Sequence, residues 1–449
     1  MKKGDILEVN IIDEGMQGEG IAKIDGYVMF VPFTLKDEVV RVEVTFVKKS
    51  FATAKVIKLL QASTNRIEHK CQHFRKCGGC DMQHINYQHQ LEIKKNNIIN
   101  NFKKIAGEAI SLPNVAPSSK QYEYRNKAQF PLFTKDDKVC LGFYQENSHR
   151  FIEISKCALQ GEWCDKFAQV FLQVANNLKL TTYDEIQNKG FLRHLILRNL
   201  NNHISVTIVV NAKNFNYTEE FVQAFLKLNT PFSLFISYNT KQTNLILYNA
   251  KCVYGAPNIK TEVLGIKTQV NPLSFMQINE EIRDAIYKKV KNILAQSKDS
   301  IVIDAYSGVG ILSNILAPNA TQVYCIEIVK EASQNANQLA IQNNNESKIT
   351  NICGDSSAVI KELFARETLK NANVAVVLDP PRKGCEQEVI EQLNLHLPSQ
   401  IIYISCNPST LARDFSLLKQ NYQIASINAY DMFPQTQHVE TLCYLTLKN

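Results

Sequence analysis

The sequence predicts a multidomain α/β protein: an N-terminal OB-like β-barrel, a central mixed α+β domain with a cysteine cluster, and a C-terminal doubly wound parallel sheet. Three observations carry this prediction. The chain has 449 residues, enough for about three domains at roughly 150 residues each. Residues 1–60 alternate apolar and polar positions in short pieces, ILEVNII, YVMFVPF, EVVRVEVTFV and TAKVIKLL, broken by glycines in EGMQGEG and IDG. From about residue 270 helices alternate with short, fully apolar strands, IVIDAY, QVYCIEI, NVAVVLD and QIIYIS, as a parallel sheet buried on both faces requires.

Composition narrows the class. Hydrophobic residues make up 45% and charged residues 21%, ordinary for a soluble globular chain, and no run approaches the roughly 18 apolar residues of a membrane span. The N-terminus MKKGDILEVN lacks the continuous apolar core of a secretory signal, so a cytoplasmic location is the expectation. Nothing implies a membrane or an obligate protein partner, and a monomer is expected.

The expected boundaries are 1–60 for the barrel, 61–268 for the central domain and 269–449 for the C-terminal domain. A small barrel of this pattern serves as an RNA-binding module or as a structural cap. Within residues 61–130, eleven Lys/Arg stand against five Asp/Glu. Phe74, Tyr87, Phe102, Tyr122 and Tyr124 interleave with those cations, which suits stacking on unpaired bases beside phosphate contacts or, more blandly, a solvated face over core aromatics. Residues 86–106 place Leu91, Ile93, Ile98, Ile99, Phe102 and Ile105 at mostly helical spacing, and the resulting helix is expected to pack on the C-terminal domain. Residues 120–270 read largely as strands, with one helix near 161–178.

Twelve cysteines in such a chain argue for metal, catalysis or packing rather than disulfides. Cys71, Cys77 and Cys80 fall in CQHFRKCGGC, where Gly78 and Gly79 let the backbone wrap so that thiolates converge. A fourth ligand from Cys157, Cys140, Cys164, His73 or His84 would complete a site for Zn²⁺ or a [4Fe–4S] cluster, and spacing does not choose between them.

In doubly wound sheets ligands sit beyond the carboxyl ends of the strands. There the first strand gives Asp304, Gly308 and Gly310 in IVIDAYSGVG, and the second gives Glu327 in QVYCIEI, where a carboxylate can accept both ribose hydroxyls of an adenosine. The glycine turn alone fits NAD and S-adenosylmethionine about equally. Asp355 in ICGDSS reaches toward an adenine edge, and Asp379 in VVLDPPRKG precedes two prolines that stiffen the loop. Cys406 in YISCNPSTLARD and Glu440 in DMFPQTQHVE complete the rim. A thiol and a carboxylate thus converge at the rim, although Cys406 taken alone reads as a buried structural thiol.

QVNPLSFMQIN, DAYSGVG, VLDPPRKG, YISCNPSTLARD and DMFPQTQHVE resemble the successive motifs of the RNA uracil-5-methyltransferase family. The N-terminal barrel resembles a TRAM domain, and Cys71, Cys77, Cys80 and Cys157 resemble the [4Fe–4S] ligands of the branch that modifies 23S ribosomal RNA. The resemblance implies a Rossmann-like methyltransferase domain, S-adenosyl-L-methionine as cofactor, and 23S ribosomal RNA as partner. It implies Cys406 as nucleophile, Glu440 as base and Asp379 as a residue holding the uracil, with Gln277, Tyr306, Gly308, Glu327, Asp355 and Asp379 lining the cofactor and uracil pocket. Ser307 and Ile311 depart from the family pattern. Arg413 is expected to help ionise the thiol, and Phe275 to stack on an out-turned base.

A transfer-RNA T-loop methyltransferase is the alternative within the class. The tRNA branch typically lacks both barrel and cysteine cluster, so their presence favours ribosomal RNA. An NAD-dependent oxidoreductase leaves Cys406, Glu440 and the cysteine cluster without roles. A non-catalytic RNA-binding scaffold with zinc is the third possibility.

Overall fold

The computed structural model describes residues 1–448 apart from 16, 17, 25, 147, 244, 298, 299, 367, 368, 370 and 371. The middle of the glycine break EGMQGEG and the Asp of IDG therefore lie outside the described residues.

Strands β1 (Ile6–Glu14), β2 (Gly20–Ile24), β3 (Tyr27–Val31), β4 (Val39–Val47) and β5 (Phe51–Gln61) close a barrel in the order β1-β2-β3-β5-β4. Alternation sends Val9, Ile11, Met29, Val31, Val40, Val42 and Val44 inward as one core, because successive side chains of a strand face opposite sides. The barrel is fastened to the chain that follows it. Arg66 donates to both carboxylate oxygens of the fully buried Glu38, at 2.5 and 2.8 Å, and to the Phe33 carbonyl.

Helix α1 (Tyr87–Asn101) continues into a π-turn at Phe102–Ala106 and stops at Gly107, whose φ of 65° suits glycine. Asn86 caps its start by accepting from the His89 N–H. Leu91, Ile98, Phe102 and Ala106 join one core with the strands and helices of the C-terminal domain. Burying a side chain such as Ile98 or Phe102 contributes roughly 1.5–3 kcal/mol, so α1 is bonded to that domain despite lying far from it in sequence.

The central sheet has the order β12-β11-β10-β9-β6-β7-β8, from β6 (Lys127–Lys135), β7 (Lys138–Tyr144), β8 (Phe151–Glu153), β9 (Leu192–Leu200), β10 (His203–Val210), β11 (Phe232–Tyr238) and β12 (Ala250–Tyr254). Its neighbours pair antiparallel except β10 with β11. Helix α2 (Glu162–Asn177) covers it together with α3 (Thr218–Leu226). Helix α3 departs from the strand-rich expectation for this stretch: Phe221, Val222 and Phe225 bury one helical face against Phe167 and Phe171 of α2. A hairpin of β13 (Ile259–Val263) and β14 (Ile266–Val270) then leads to α4 (Glu280–Leu294).

The last sheet contains β15 (Ser300–Asp304), β16 (Gln322–Glu327), β17 (Ile349–Cys353), β18 (Asn373–Leu378), β19 (Gln400–Ser405), β20 (Tyr422–Tyr430) and β21 (Glu440–Leu447). Its order is β17-β16-β15-β18-β19-β21-β20, parallel from β17 through β19 and closed by an antiparallel hairpin. Helices α5 (Ile311–Leu316), α6 (Lys330–Gln342), α7 (Ser356–Phe364), α8 (Gln387–His396) and α9 (Pro408–Leu418) connect the strands. Strand order reverses at β15, so the crevice beyond β15, β16 and β18 is where a ligand fits.

Candidate active site

At the first strand end, Gly308 and Gly310 have φ of 55° and 78°. A Cβ at Gly308 would meet open space, while one at Gly310 would press on Ala336 of α6 at 3.1 Å. Gly310 thus serves close helix packing, and Gly308 keeps one face of the loop bare for a ligand. Glu327, ending β16, has both carboxylate oxygens held by backbone: Gly308 N–H at 3.0 Å and Val329 N–H at 2.7 Å. Beside it Ile328 is 69% exposed, an apolar platform next to the acid. A bare glycine loop, a fixed carboxylate and an apolar neighbour fit an adenosine.

Tyr306 donates to Glu386 at 2.8 Å, which fixes the outer end of its ring. Gln277 is partly buried just before α4, its carbonyl accepting from Asn126. Asp355 is an N-cap: one carboxylate oxygen accepts from the Ser357 and Ala358 N–H groups and the Ser357 hydroxyl, leaving the other for a ligand. Ile311 sits in a core with Val270, Met276 and Leu339 rather than in the crevice.

The chemistry gathers one strand further on. β19 and β21 pair with Ser405 opposite Thr441, so one step beyond brings Cys406 and Glu440 to the same level. Asp379 follows β18, the neighbour of β19. Burial pushes the Glu440 carboxyl up to about 8, with Asp379 adding to the rise and Arg382 opposing it. Asp379 is raised to about 7 by burial and by Asp304. The Cys406 thiol is pushed up to about 11, mainly by burial, then by Glu440, against the pull of Arg382.

The helpful cation is therefore Arg382, not Arg413. Arg413 is spent on Asp414 at 2.6 Å and on the Lys383 and Cys385 carbonyls. Arg382 lies in the VLDPPRKG segment, three residues after Asp379. Phe275 is 73% exposed, two residues from Gln277.

Cys71, Cys77, Cys80 and Cys157 line one cavity of about 430 Å³ with His73, Arg125, Lys127 and Lys156. Among the described residues, no three Cys, His, Asp or Glu side chains are gathered to hold a metal ion. The other thiols and imidazole are elsewhere: Cys140 faces Glu153, Cys164 is in the central core, and His84 is boxed between Phe33 and Phe74. Burial lifts Cys77 to about 11, so without a metal that thiol stays protonated at neutral pH.

The basic stretch 61–130 is partly turned inward. Lys94 and Arg66 are consumed by buried carboxylates, and Phe74, Phe102 and Tyr124 are core side chains. Lys70, Arg75, Lys76, Lys103, Lys104 and Lys120 remain exposed.

The reversed sheet order, the fixed carboxylate at a bare glycine loop and the thiol–carboxyl pair fit an enzyme of the doubly wound class that uses a nucleoside cofactor. Residues 86–448 match the tRNA (uracil-5-)-methyltransferase family, and residues 1–57 match the TRAM domain. An uncharacterized RNA methyltransferase of Clostridium tetani is 34% identical over 99% of this chain and 97% of its own length. One of Halalkalibacterium halodurans is 33% identical over 100% and 98%. The crystal structure of Pyrococcus abyssi tRNA (uracil-54, C5)-methyltransferase with S-adenosyl-L-homocysteine matches with a TM-score of 0.76 at 25% identity, covering 98% of this chain and 100% of that one. This chain belongs to the tRNA (uracil-5-)-methyltransferase family, enzymes that methylate RNA from S-adenosylmethionine. The likeness to a transfer-RNA enzyme spans the barrel as well, so a barrel does not by itself distinguish ribosomal from transfer RNA.

Proposed function

We propose that this enzyme methylates C5 of a uridine in 23S ribosomal RNA through a transient bond between Cys406 and C6 of the uracil. The observation that carries the reading is the placement of Cys406 and Glu440 at one level of the β19–β21 ladder, with Arg382 acting on both. C5 of uracil is a weak nucleophile. Addition of the Cys406 thiolate to C6 forms the C–S bond and pushes an electron pair through the ring to C5, making it an enolate carbon able to attack. Glu327, Tyr306, Gly308, Gln277 and Asp355 would hold S-adenosyl-L-methionine, which when bound would supply a methyl group on a sulfonium that departs as the neutral thioether, S-adenosyl-L-homocysteine. C5 then carries both hydrogen and methyl. The Glu440 carboxylate takes that hydrogen as a proton, the C5–C6 double bond re-forms and the C–S bond breaks, returning the thiolate.

Asp379 holds the uracil edge and, beside Glu440, keeps that carboxyl basic. Arg382 favours the thiolate that burial opposes. The reacting uridine must leave its stack to reach a recessed thiol, with Phe275 as the surface that receives it. RNA containing 5-fluorouridine tests the reading, because fluorine is not removed as a cation. A stable protein–RNA adduct is expected with the wild type and none with Cys406→Ala; absence of the wild-type adduct would falsify the covalent route.

We infer that Cys71, Cys77, Cys80 and Cys157 hold a structural [4Fe–4S] cluster, with zinc as the rival. Four sulfurs spread around one cavity suit a cluster better than a single ion, and Arg125, Lys127 and Lys156 in the wall offset thiolate charge. An anaerobic preparation is expected to be brown with four irons per chain; a colourless zinc protein overturns this. The cysteine set is what favours the ribosomal substrate. A second reading, the T-loop uridine of transfer RNA, is favoured by the whole-chain likeness to the Pyrococcus abyssi enzyme. Mapping 5-methyluridine in ribosomal and transfer RNA with and without this gene decides between them.

A further inference from the structure

Glu440 opens β21, opposite Tyr430 of β20, and directly follows a loop, residues 431–439, that joins the two strands. Four successive carbonyls of that loop are each tied to a different part of the chain. The Met432 carbonyl accepts from Asn279 at 3.4 Å and the Phe433 carbonyl from Lys94 at 3.2 Å. The Pro434 carbonyl accepts from the Tyr124 hydroxyl at 3.2 Å. The Gln435 carbonyl accepts from the Asp81 and Met82 N–H groups, both at 3.1 Å. Asp81 directly follows Cys80, so the cysteine-bearing loop is one of the supports.

At the centre Gln435 has φ of 71° and is 1% exposed. Side chains other than glycine enter this left-handed region only where the surroundings over-determine it, and such residues concentrate at functional sites. The surroundings are mainly Gln90 on α1, itself fully buried. Its amide oxygen accepts from the Gln435 N–H at 3.1 Å, and its amide nitrogen donates to the Gln435 side-chain oxygen at 3.1 Å. The same nitrogen bonds the Met82 and Ile85 carbonyls, at 3.1 and 2.9 Å. One glutamine thus fixes both the strained residue and the segment whose amides bind it.

We propose that Gln90 is a positioning residue for proton removal at C5: by holding Gln435 in its left-handed conformation it sets the reach of Glu440 toward the uracil. This rests on the covalent reading above, but it concerns only the last step. Loosening the loop slows loss of the C5 proton and leaves the attack of Cys406, carried by β19, intact. A displacement of about 1 Å at a reacting group costs about 100-fold in rate.

The test uses the full-length enzyme with Gln90→Leu, which keeps the side-chain volume and removes all four bonds, and with Gln435→Ala, which keeps the bonds from Gln90 to Met82 and Ile85. Expected are a kcat lower by about 100-fold for Gln90→Leu and by less for Gln435→Ala, a KM for RNA that falls with kcat as adduct builds up, and unchanged affinity for S-adenosylmethionine by calorimetry. Two further readouts separate positioning from damage. The rate of adduct formation with 5-fluorouridine RNA should match the wild type, and adduct with ordinary RNA should accumulate during turnover. An unchanged kcat, or adduct formation that falls in step with kcat, overturns the proposal. Should Gln90→Leu fail to fold, the same readouts on Gln435→Ala decide. No adduct in the wild type itself would defeat the covalent reading instead.

Discussion

In the proposed reaction Glu440 must be both buried and basic, and these demands oppose each other. Its carboxyl titrates near 8 rather than in the usual carboxylate range because water is excluded and Asp379 adds like charge. A proton acceptor must be ionised, so kcat is expected to rise with pH through about 8, while kcat/KM, which reports the attack, rises toward the Cys406 thiol near 11. Stability moves the other way. A carboxyl whose folded value exceeds its unfolded one costs nothing below the unfolded value, near 4.5, and destabilises progressively as pH climbs through the folded value. Glu440→Gln should therefore melt at the same temperature as the wild type at pH 4, melt a few degrees higher at pH 9, and lose turnover at both. Equal melting temperatures at pH 9 would show that the carboxyl is not held in the environment described.

At the scale of elements, α1 is joined to the last sheet by a pair with no solvent contact: Lys94 to Asp431 at 2.5 Å, both side chains fully buried. Removing one partner leaves a buried charge alone, and Lys94→Met is expected to cost about 3–5 kcal/mol, read from denaturant unfolding, with Lys94→Met/Asp431→Leu recovering most of it. Gly310→Ala forces a side chain into the left-handed region and against α6; it should cost about 1–3 kcal/mol and raise the KM for S-adenosylmethionine. The barrel and the parallel strands were readable in the sequence because periods of two and short apolar runs are local properties. The strand-end positions of Cys406 and Asp379 followed from the same runs. Which arginine faces the thiol was not readable, since Arg382 and Arg413 are both near the rim in sequence and only the packing of Arg413 on Asp414 separates them. The pairing of Gln90 with Gln435 leaves no local trace at all, and the inward turn of Lys94 is likewise invisible to a count of charges.

Over the whole molecule, the barrel is the part farthest in sequence from the catalytic residues, and its surface carries Phe46 and Phe51 beneath Lys48, whose ammonium lies 5.8 and 5.6 Å from the two rings. If the barrel grips RNA, Lys48→Ala with Phe46→Ala should raise the KM for long RNA several-fold and leave kcat unchanged; an unaltered KM would make the barrel a cap. The placement of α1 has a different consequence. A gene fragment beginning at residue 269 would encode all seven strands of the last sheet and still be missing a wall, because that wall is encoded upstream of the whole central sheet. During synthesis the helix can settle early on the barrel side, through Ile93 against Leu35 and His89 against Glu14, while its opposite face stays uncovered until the final strands emerge.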